Sequence, residues 1–176
     1  MKRKYIPDPK HTILLAGPIN HEAVITISPL IATLETMKLK NGFRIRIVSP
    51  GGEASACLAL YDILKLCKNK VIIEAFGECS SAAAVLLQAA DERWVAPHCR
   101  ILIHNGAVDA EVESIAGRKL VEAGQEVMRL DNIFCDIFAM RSGTDKDLIK
   151  RWLEAETYFN AHEAVANKLA DWVITK

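Results

Sequence analysis

The sequence predicts an α/β fold in which a mostly parallel β-sheet is covered by helices. Short apolar runs alternate with amphipathic segments along residues 12–104, and the connections between them are short. Glycine, proline or serine marks several of the turns. The chain has 176 residues, which is enough for one ordinary domain, and its 51% hydrophobic content suits a compact or oligomeric globule.

The first three elements show this alternation. Residues 12–16 (TILLA) form a short apolar run that is closed by a Gly-Pro turn, as in a buried strand. Between residues 22 and 38 the apolar positions recur at three- and four-residue steps, which predicts an amphipathic helix with a bend or a restart at Pro29. Residues 43–48 (FRIRIV) alternate β-branched residues with arginines and predict a strand.

The later elements continue the pattern and then change character. Further strands are expected at 71–76, 93–96, 100–104 and in the final WVI, and further helices at 54–67, 81–90, 110–141, 145–153 and 161–169. The helix at 110–141 is too long to lie flat on so small a sheet. We therefore expect it to project or to be split, and in either case to offer a surface for self-association.

The composition excludes several classes of function. Lysine plus arginine equals aspartate plus glutamate at 22 each, so no basic surface for nucleic acid is expected. The five cysteines have no metal-type spacing and predict free thiols in a reducing cytoplasm, with neither a metal site nor a cofactor. The basic N-terminus lacks the apolar stretch of a signal peptide, and no run of about 18 apolar residues predicts a membrane span.

Three predicted strand ends carry candidate functional groups, because such groups gather at the carboxyl ends of strands in α/β sheets. The first is SPGG, residues 49–52, where two glycines allow backbone N–H groups to face a ligand without a Cβ in the way. The same four residues also fit a simple tight turn. The motif alone leaves both interpretations open.

The second strand end is GECSSAAAVLL, residues 77–87, which places Cys79, Ser80 and Ser81 before an apolar helix. A serine in this place can cap the helix by accepting a hydrogen bond from a free N–H group. It can also act as a nucleophile whose developing negative charge is stabilised by the helix N-terminus. Cys79 lies two residues before Ser81 and is expected to point away from the base that serves Ser81.

The third strand end delivers His104 to the same edge of the sheet. A lone histidine in this position is more often structural, but a neutral imidazole beside a serine can accept its proton as a general base. Three strand ends that each present one component of acyl-transfer chemistry favour catalysis over capping.

The motifs together resemble the Clp protease family, the proteolytic subunits of ATP-dependent proteases. The matching segments are GPI (17–19), SPGG (49–52), YDIL (61–64), GECSSAAAVLL (77–87), ILIH (101–104), RSG (141–143) and NAHEA (160–164). The chain looks closest to short, phage-type or head-maturation-like members. The resemblance implies a crotonase-like fold in one domain, with a core at about 11–106 and 157–176 and a projecting handle at about 107–156.

Residue by residue, the resemblance implies a catalytic triad and an oxyanion hole. The nucleophile falls on Ser81 and the base on His104. The acid position, an aspartate in the family, falls on Glu156, and a register slip of one residue would put Thr157 there instead. The oxyanion donors fall on the backbone N–H groups of Gly52 and Ala82.

The resemblance implies a serine endopeptidase that works inside a homo-oligomeric ring, with heptameric rings or stacked pairs of rings as the family expectation. An extended peptide or unfolded protein substrate would lie beside Gly51, Gly52 and Ala54 as an added strand. Ala155 replaces the arginine that precedes the acid in the family, and the N-terminus is short, so an ATPase unfoldase partner stays open.

Two other functions remain as alternatives. Acyl-CoA hydratases and isomerases of the same fold also stabilise an oxyanion with backbone amides, but they need no serine–histidine pair. A non-catalytic ring subunit is suggested by the change from aspartate to Glu156, whereas an intact Ser81 and His104 argue against it.

Overall fold

The computed structural model describes residues 5–107 and 117–175. Within these residues the chain forms seven strands: β1 (Thr12–Ala16), β2 (Phe43–Ser49), β3 (Val71–Ser80), β4 (Glu92–Val95), β5 (Arg100–Ile103), β6 (Thr157–Phe159) and β7 (Trp172–Val173). The helices are α1 (His21–Glu35), α2 (Ala54–Lys65), α3 (Ala82–Leu87), α4 (Gly117–Ser142), α5 (Lys146–Glu154) and α6 (Ala161–Ala166). A 3₁₀ turn at Pro9–His11 precedes β1.

The sheet is mostly parallel, as predicted. Strands β1, β2, β3, β4 and β7 follow one another in that order and pair in parallel. Strand β5 pairs in parallel with the end of β3, and β6 runs antiparallel on its other side. The prediction of a mostly parallel α/β sheet is therefore confirmed, with β6 as the antiparallel exception.

Strand β3 is longer than predicted and has two different neighbours. The expected end at residue 76 is wrong, because Gly77 adopts a positive φ of 59° and lets the strand bend instead of ending. Residues 72–75 pair with β4, whereas residues 78–80 pair with β5. The bend thus carries the chain from the main sheet to the β5–β6 pair, directly before Ser81.

The helices differ from their predicted bounds mainly at their ends. Helix α1 continues through Pro29 and ends at Glu35 instead of residue 38. Its end meets polar groups from the α2–β3 connection: Glu35 accepts from the Lys68 and Asn69 N–H groups at 2.8 and 3.0 Å. Helix α4 ends as predicted, with Gly143 at φ 68° donating its N–H to the Ala139 carbonyl. Residues 108–116, where this helix was expected to begin, lie outside the described residues.

The core lies between one face of the sheet and helices α1, α2 and α3. Alternate residues of β3 face it, namely Val71, Ile73, Ala75 and Cys79. The opposite face carries the arginines of β2 around Glu74, a fully buried carboxylate. Arg44 and Arg46 lie 3.3 and 3.1 Å from its two oxygens, so the buried charge is paired.

Candidate active site

Ser81 lies on a strained turn between strand β3 and helix α3. Its φ of 56° and ψ of −125° are uncommon for a residue with a side chain. The turn is held by backbone bonds, since the Ser81 N–H donates to the Leu102 carbonyl at 2.8 Å and the Ser81 carbonyl accepts from Ala84 at 2.9 Å. The Ser81 hydroxyl makes no capping bond, although Ser81 occupies the N-cap position. The backbone, and not the side chain, therefore holds this helix start.

The two neighbours of Ser81 in the same motif have different environments. The Ser80 side chain is buried and donates its hydroxyl to Glu78 Oε1 at 3.0 Å. Cys79 faces the core and is fully buried, and this burial raises the pKa of its thiol well above the ordinary value. Of the three candidate nucleophiles, Ser81 alone is half-buried with a hydroxyl that has no hydrogen-bond partner among the described residues.

The SPGG turn packs directly against Ser81. A Cβ at Gly51 would lie 2.7 Å from the Ser80 carbonyl oxygen, 2.7 Å from Ser81 Cβ and 3.0 Å from the Ala82 nitrogen. Gly51 also has a positive φ of 100°, which residues with side chains rarely adopt. Glycine is therefore required here by both the conformation and the close approach.

Backbone bonds fix the orientation of the SPGG turn. The Gly51 N–H donates to Ser49 Oγ at 3.1 Å, and the Gly51 carbonyl accepts from the Ile19 N–H at 2.7 Å. The Ile19 carbonyl in turn accepts from the Glu53 N–H at 2.7 Å. Gly52 thereby forms a parallel bridge with Ile19 on one edge, while Ala54 begins helix α2.

Two backbone N–H groups beside Ser81 have no acceptor among the described residues. One belongs to Gly52, since the bridge to Ile19 uses the groups of Gly51 and Glu53 instead. The other belongs to Ala82, the first residue of α3, whose N–H precedes the first hydrogen bonds within the helix. These are the two amides at which the oxyanion hole is expected.

His104 and Glu156 lie across from each other at the end of the β5–β6 pair. The antiparallel register joins Ile101 to Phe159, Leu102 to Tyr158 and Ile103 to Thr157. One more step of this register sets His104 opposite Glu156. Strand β6 was not predicted, because three residues are too few for a visible alternation, and it is the element that brings these two positions together.

One carbonyl of helix α5 accepts hydrogen bonds from the backbone next to His104 and from the backbone of Glu156. The Leu153 carbonyl accepts the Asn105 N–H at 3.1 Å and the Glu156 N–H at 3.3 Å. Thr157, the alternative to Glu156, uses its hydroxyl to donate to the Trp152 carbonyl at 2.8 Å. The Glu156 side chain is exposed and makes no ion pair or hydrogen bond with a described residue, so it is free to turn towards His104.

No hydrogen bond joins the side chains of Ser81, His104 and Glu156 within the described residues. The three residues flank neighbouring strands at one edge of the sheet, with Ser81 after β3, His104 after β5 and Glu156 before β6. Their backbones are thus brought together, while the side chains are not aligned as a hydrogen-bonded relay.

All five cysteines are free thiols, as predicted. The described residues contain no group of three or more histidine, cysteine, aspartate or glutamate side chains placed to hold a metal ion. Among the helices within 5–107 and 117–175, none combines the length and the apolar character needed to cross a membrane.

Sequence reasoning missed one contact that bears on His104. The Gly106 N–H, two residues after the histidine, donates to Asp131 Oδ1 of helix α4 at 2.8 Å. Asp131 belongs to none of the recognised motifs, and it lies 25 residues from Gly106 along the chain. Nothing in the local sequence pattern marks it.

A mostly parallel sheet with helices packed against it defines an α/β protein, and this architecture fits the crotonase-like fold that the sequence analysis expects. The sequence model of the family described as Clp protease matches residues 8–176. The chain belongs to the Clp protease family, and the resemblance noted from its motifs is confirmed.

The chain is similar over most of its length to proteins named as proteolytic subunits of the ATP-dependent Clp protease. The protein of that name from Pleurastrum terricola is 32% identical over 163 residues, which cover 92% of this chain and 82% of that protein. Subunit 4 from Streptomyces avermitilis is 27% identical, covering 98% of this chain and 78% of that protein. Subunit 2 from Streptomyces coelicolor is 28% identical, with 98% and 81% covered.

Proposed function

We propose that this chain is a serine endopeptidase in which Ser81 is the nucleophile. The observation that carries the proposal is the Ser81 turn, where a strained backbone presents a hydroxyl without a hydrogen-bond partner among the described residues. Gly51 packs against this turn, and the Gly52 and Ala82 N–H groups beside it lack acceptors among the described residues. A helix cap alone would require neither the strained backbone nor the unpaired Gly52 N–H group beside it.

In the proposed reaction the Ser81 oxygen attacks the carbonyl carbon of a peptide bond while His104 takes the hydroxyl proton. The negative charge that develops on the carbonyl oxygen is stabilised by the N–H groups of Gly52 and Ala82, each worth about 3–4 kcal/mol in the transition state. His104 then gives its proton to the leaving amine, and an acyl-enzyme forms. A water molecule, deprotonated by His104, hydrolyses this ester and restores the Ser81 hydroxyl.

Glu156 orients His104 and stabilises its charged form in this proposal. A glutamate can do the work of an aspartate because the same carboxylate accepts from the imidazole N–H group. Its extra methylene changes the reach, and its exposed side chain has to rotate towards His104. The Thr157 hydroxyl already donates a hydrogen bond to the Trp152 carbonyl, and this favours Glu156 over Thr157 as the residue that orients His104.

The substrate in this proposal is an extended peptide that lies along the SPGG turn. Ile19 occupies one edge of Gly52, so the peptide would pair with the other edge, beside Gly51 and Ala54. We further propose a homo-oligomeric ring, with seven subunits as the family expectation. An ATPase unfoldase partner is suggested only by the names of the relatives, which describe subunits of an ATP-dependent protease.

A non-catalytic ring subunit is the second candidate function. The observation that favours it is that Ser81, His104 and Glu156 are not joined by hydrogen bonds among the described residues. In this case the chain would assemble and bind peptides without cleaving them.

Hydrolysis of a short fluorogenic peptide by the assembled protein separates the two candidates. The endopeptidase proposal predicts hydrolysis that falls by at least about 10³-fold in Ser81→Ala, because both acylation and the ester intermediate are lost. Ser80→Ala is the matched control and should stay close to wild type. Peptide binding without hydrolysis in the wild type would support the non-catalytic candidate. Equal activity of wild type and Ser81→Ala would contradict the assignment of the nucleophile.

A further inference from the structure

The loop that follows His104 is held by two hydrogen bonds from different helices. Strand β5 ends at Ile103, so His104 is the first residue beyond the regular pairing. The Asn105 N–H donates to the Leu153 carbonyl at the end of α5, and the Gly106 N–H donates to Asp131 Oδ1 on α4. His104 therefore lies between the last strand pair and these two anchors.

The contact with Asp131 is a close one. Its carboxylate oxygen lies 2.8 Å from the Gly106 nitrogen, a short distance that is typical of a charge-assisted bond. A Cβ at Gly106 would lie 3.2 Å from Val127 Cγ1 and 3.4 Å from Asp131 Oδ1. The loop backbone thus rests directly on α4, and a small shift of either one moves the other.

One of these anchors, the Leu153 carbonyl, links the loop after His104 to Glu156. The Leu153 carbonyl that accepts Asn105 also accepts the Glu156 N–H. The backbone of Glu156 is therefore tied to the same point of α5 as the residue after His104. Asp131 is the anchor that acts through its side chain, and it belongs to helix α4.

We propose that Asp131 is a positioning residue that holds the backbone of the His104 loop against α4, so that the imidazole stays within reach of the Ser81 hydroxyl. The inference rests on the proposed serine peptidase function and adds a residue that no motif marks. Asp131 would not touch the substrate or the reacting atoms. It acts through the Gly106 N–H, because a shift of about 1 Å in a catalytic group can lower the rate by about 100-fold.

The test is the second-order rate of covalent labelling by a fluorophosphonate probe, which requires a serine activated by its base. Asp131→Ala should lower this rate by about 10- to 100-fold, because the loop loses its acceptor and His104 is no longer held in place. Asp131→Asn keeps an Oδ1 acceptor and should restore a rate close to wild type. Asp136→Ala, an exposed aspartate of the same helix that faces Lys146, is the matched control and should label normally.

A second variant tests the same contact from the loop side. Gly106→Ala keeps Asp131 but adds a methyl group that pushes the loop away from α4 by a few tenths of an ångström. It should also lower the labelling rate, with thermal unfolding close to that of the wild type. A purely structural role of Asp131 would instead lower the unfolding temperature and leave the labelling rate of the folded protein unchanged.

The outcomes separate this inference from the proposed function. If the wild type is labelled and Ser81→Ala is not, but Asp131→Ala and Gly106→Ala label as fast as the wild type, the positioning role is wrong and the peptidase proposal stands. If the wild type is not labelled at all, the peptidase proposal fails and the positioning role fails with it. Slow labelling of Asp131→Ala with rescue by Asp131→Asn supports the inference.

Discussion

The two halves of the candidate site are built in different ways. The nucleophile half, Ser81 with the SPGG turn, belongs to the middle of the sheet, where β3 is paired on both sides and Gly51 packs against Ser81. The base half, His104 with Glu156, lies at the β5–β6 pair, where β6 has only three residues. Its anchors are the Leu153 carbonyl and the Asp131 carboxylate.

The difference indicates which half sets the alignment of the site. Close packing of Gly51 and a strained backbone fix Ser81 and the two free amides at the edge of the core, so this half is preorganised. A few polar contacts from α4 and α5 hold the base half, and its side chains are not hydrogen-bonded to one another. Changes that displace α4 or α5 should therefore act on His104 and Glu156 first.

The largest effect is expected from Gly51→Ala, which disturbs the nucleophile half. The new Cβ would collide with the Ser80 carbonyl and Ser81 Cβ, and the positive φ adds about 1–3 kcal/mol of backbone strain. We expect peptide hydrolysis to fall by more than about 100-fold, since the nucleophile is displaced, and the unfolding temperature to fall as well. Activity and calorimetry on the same sample measure both.

Gly124→Ala is the matched control for this prediction. Gly124 lies within α4, and an added Cβ there would meet nothing within 4 Å. This variant should be as active as the wild type and more stable by about 0.5–1 kcal/mol. A fully active Gly51→Ala would mean that the close packing of the SPGG turn is not needed for the chemistry.

A smaller effect is expected from Glu156→Ala, which changes the base half. Removing the carboxylate takes away the group that orients the imidazole and stabilises its charge, but Glu156 is exposed and must move to reach His104. We expect kcat/KM for a short peptide to fall by about 10- to 100-fold, a smaller loss than that of a preformed triad acid, about 10⁴-fold.

Two other variants sharpen this comparison. Glu154→Ala, at the end of α5, should leave kcat/KM unchanged, because no role is assigned to that exposed carboxylate. Thr157→Val could instead lower the rate while Glu156→Ala does not. In that case Thr157 occupies the acid position, one residue away from Glu156, and the triad has no carboxylate.

The smallest effect concerns the thiol behind the nucleophile. Cys57 donates its S–H to the Ala82 carbonyl at 3.1 Å, and burial raises the pKa of its thiol to about 12. An unfolded thiol titrates near pH 8.5, so at alkaline pH the folded state binds more protons than the unfolded state and stability falls as the pH rises. We expect Cys57 to contribute a loss of about 1.4 kcal/mol per pH unit above that value.

Urea unfolding at pH 8 and pH 10 measures this loss. Cys57→Ala should be less stable than the wild type at pH 8 because of the cavity, and this difference should shrink at pH 10 because the stability of the variant depends less steeply on pH. An unchanged pH dependence in Cys57→Ala would show that this thiol is accessible to solvent in the folded protein, and that the nucleophile half is not tightly packed around it.

Much of the fold could be predicted because its signals are local. The apolar run of residues 12–16, the alternation of residues 43–48 and the helical spacing of α1 are visible within a few residues, and these elements occur where expected. The prediction that β3 ends before Gly77 is wrong, because the positive φ of this glycine lets the strand bend and continue. The end of α1 depends on hydrogen bonds from Asn69, which no local pattern contains.

The sequence predicts which residues form the candidate site, and their roles stay a prediction, whereas their contacts could not be predicted from the sequence. The motifs gave the positions of Ser81 and His104, because each follows a recognisable strand. The register of His104 with Glu156 depends on β6, which is too short to read from the sequence. The contact between Asp131 and Gly106 joins residues 25 positions apart, and it arises only from the packing of α4 on the loop.

The most direct test of the nucleophile assignment is to locate the covalent adduct after fluorophosphonate labelling of the assembled wild-type protein. Digestion and mass spectrometry of the peptide that contains residues 77–87 distinguish Cys79, Ser80 and Ser81. A single adduct on Ser81 is the predicted result, because this side chain lies free on the strained turn while the other two are buried. An adduct on Ser80 or Cys79, or a fully assembled protein without any adduct, would contradict it.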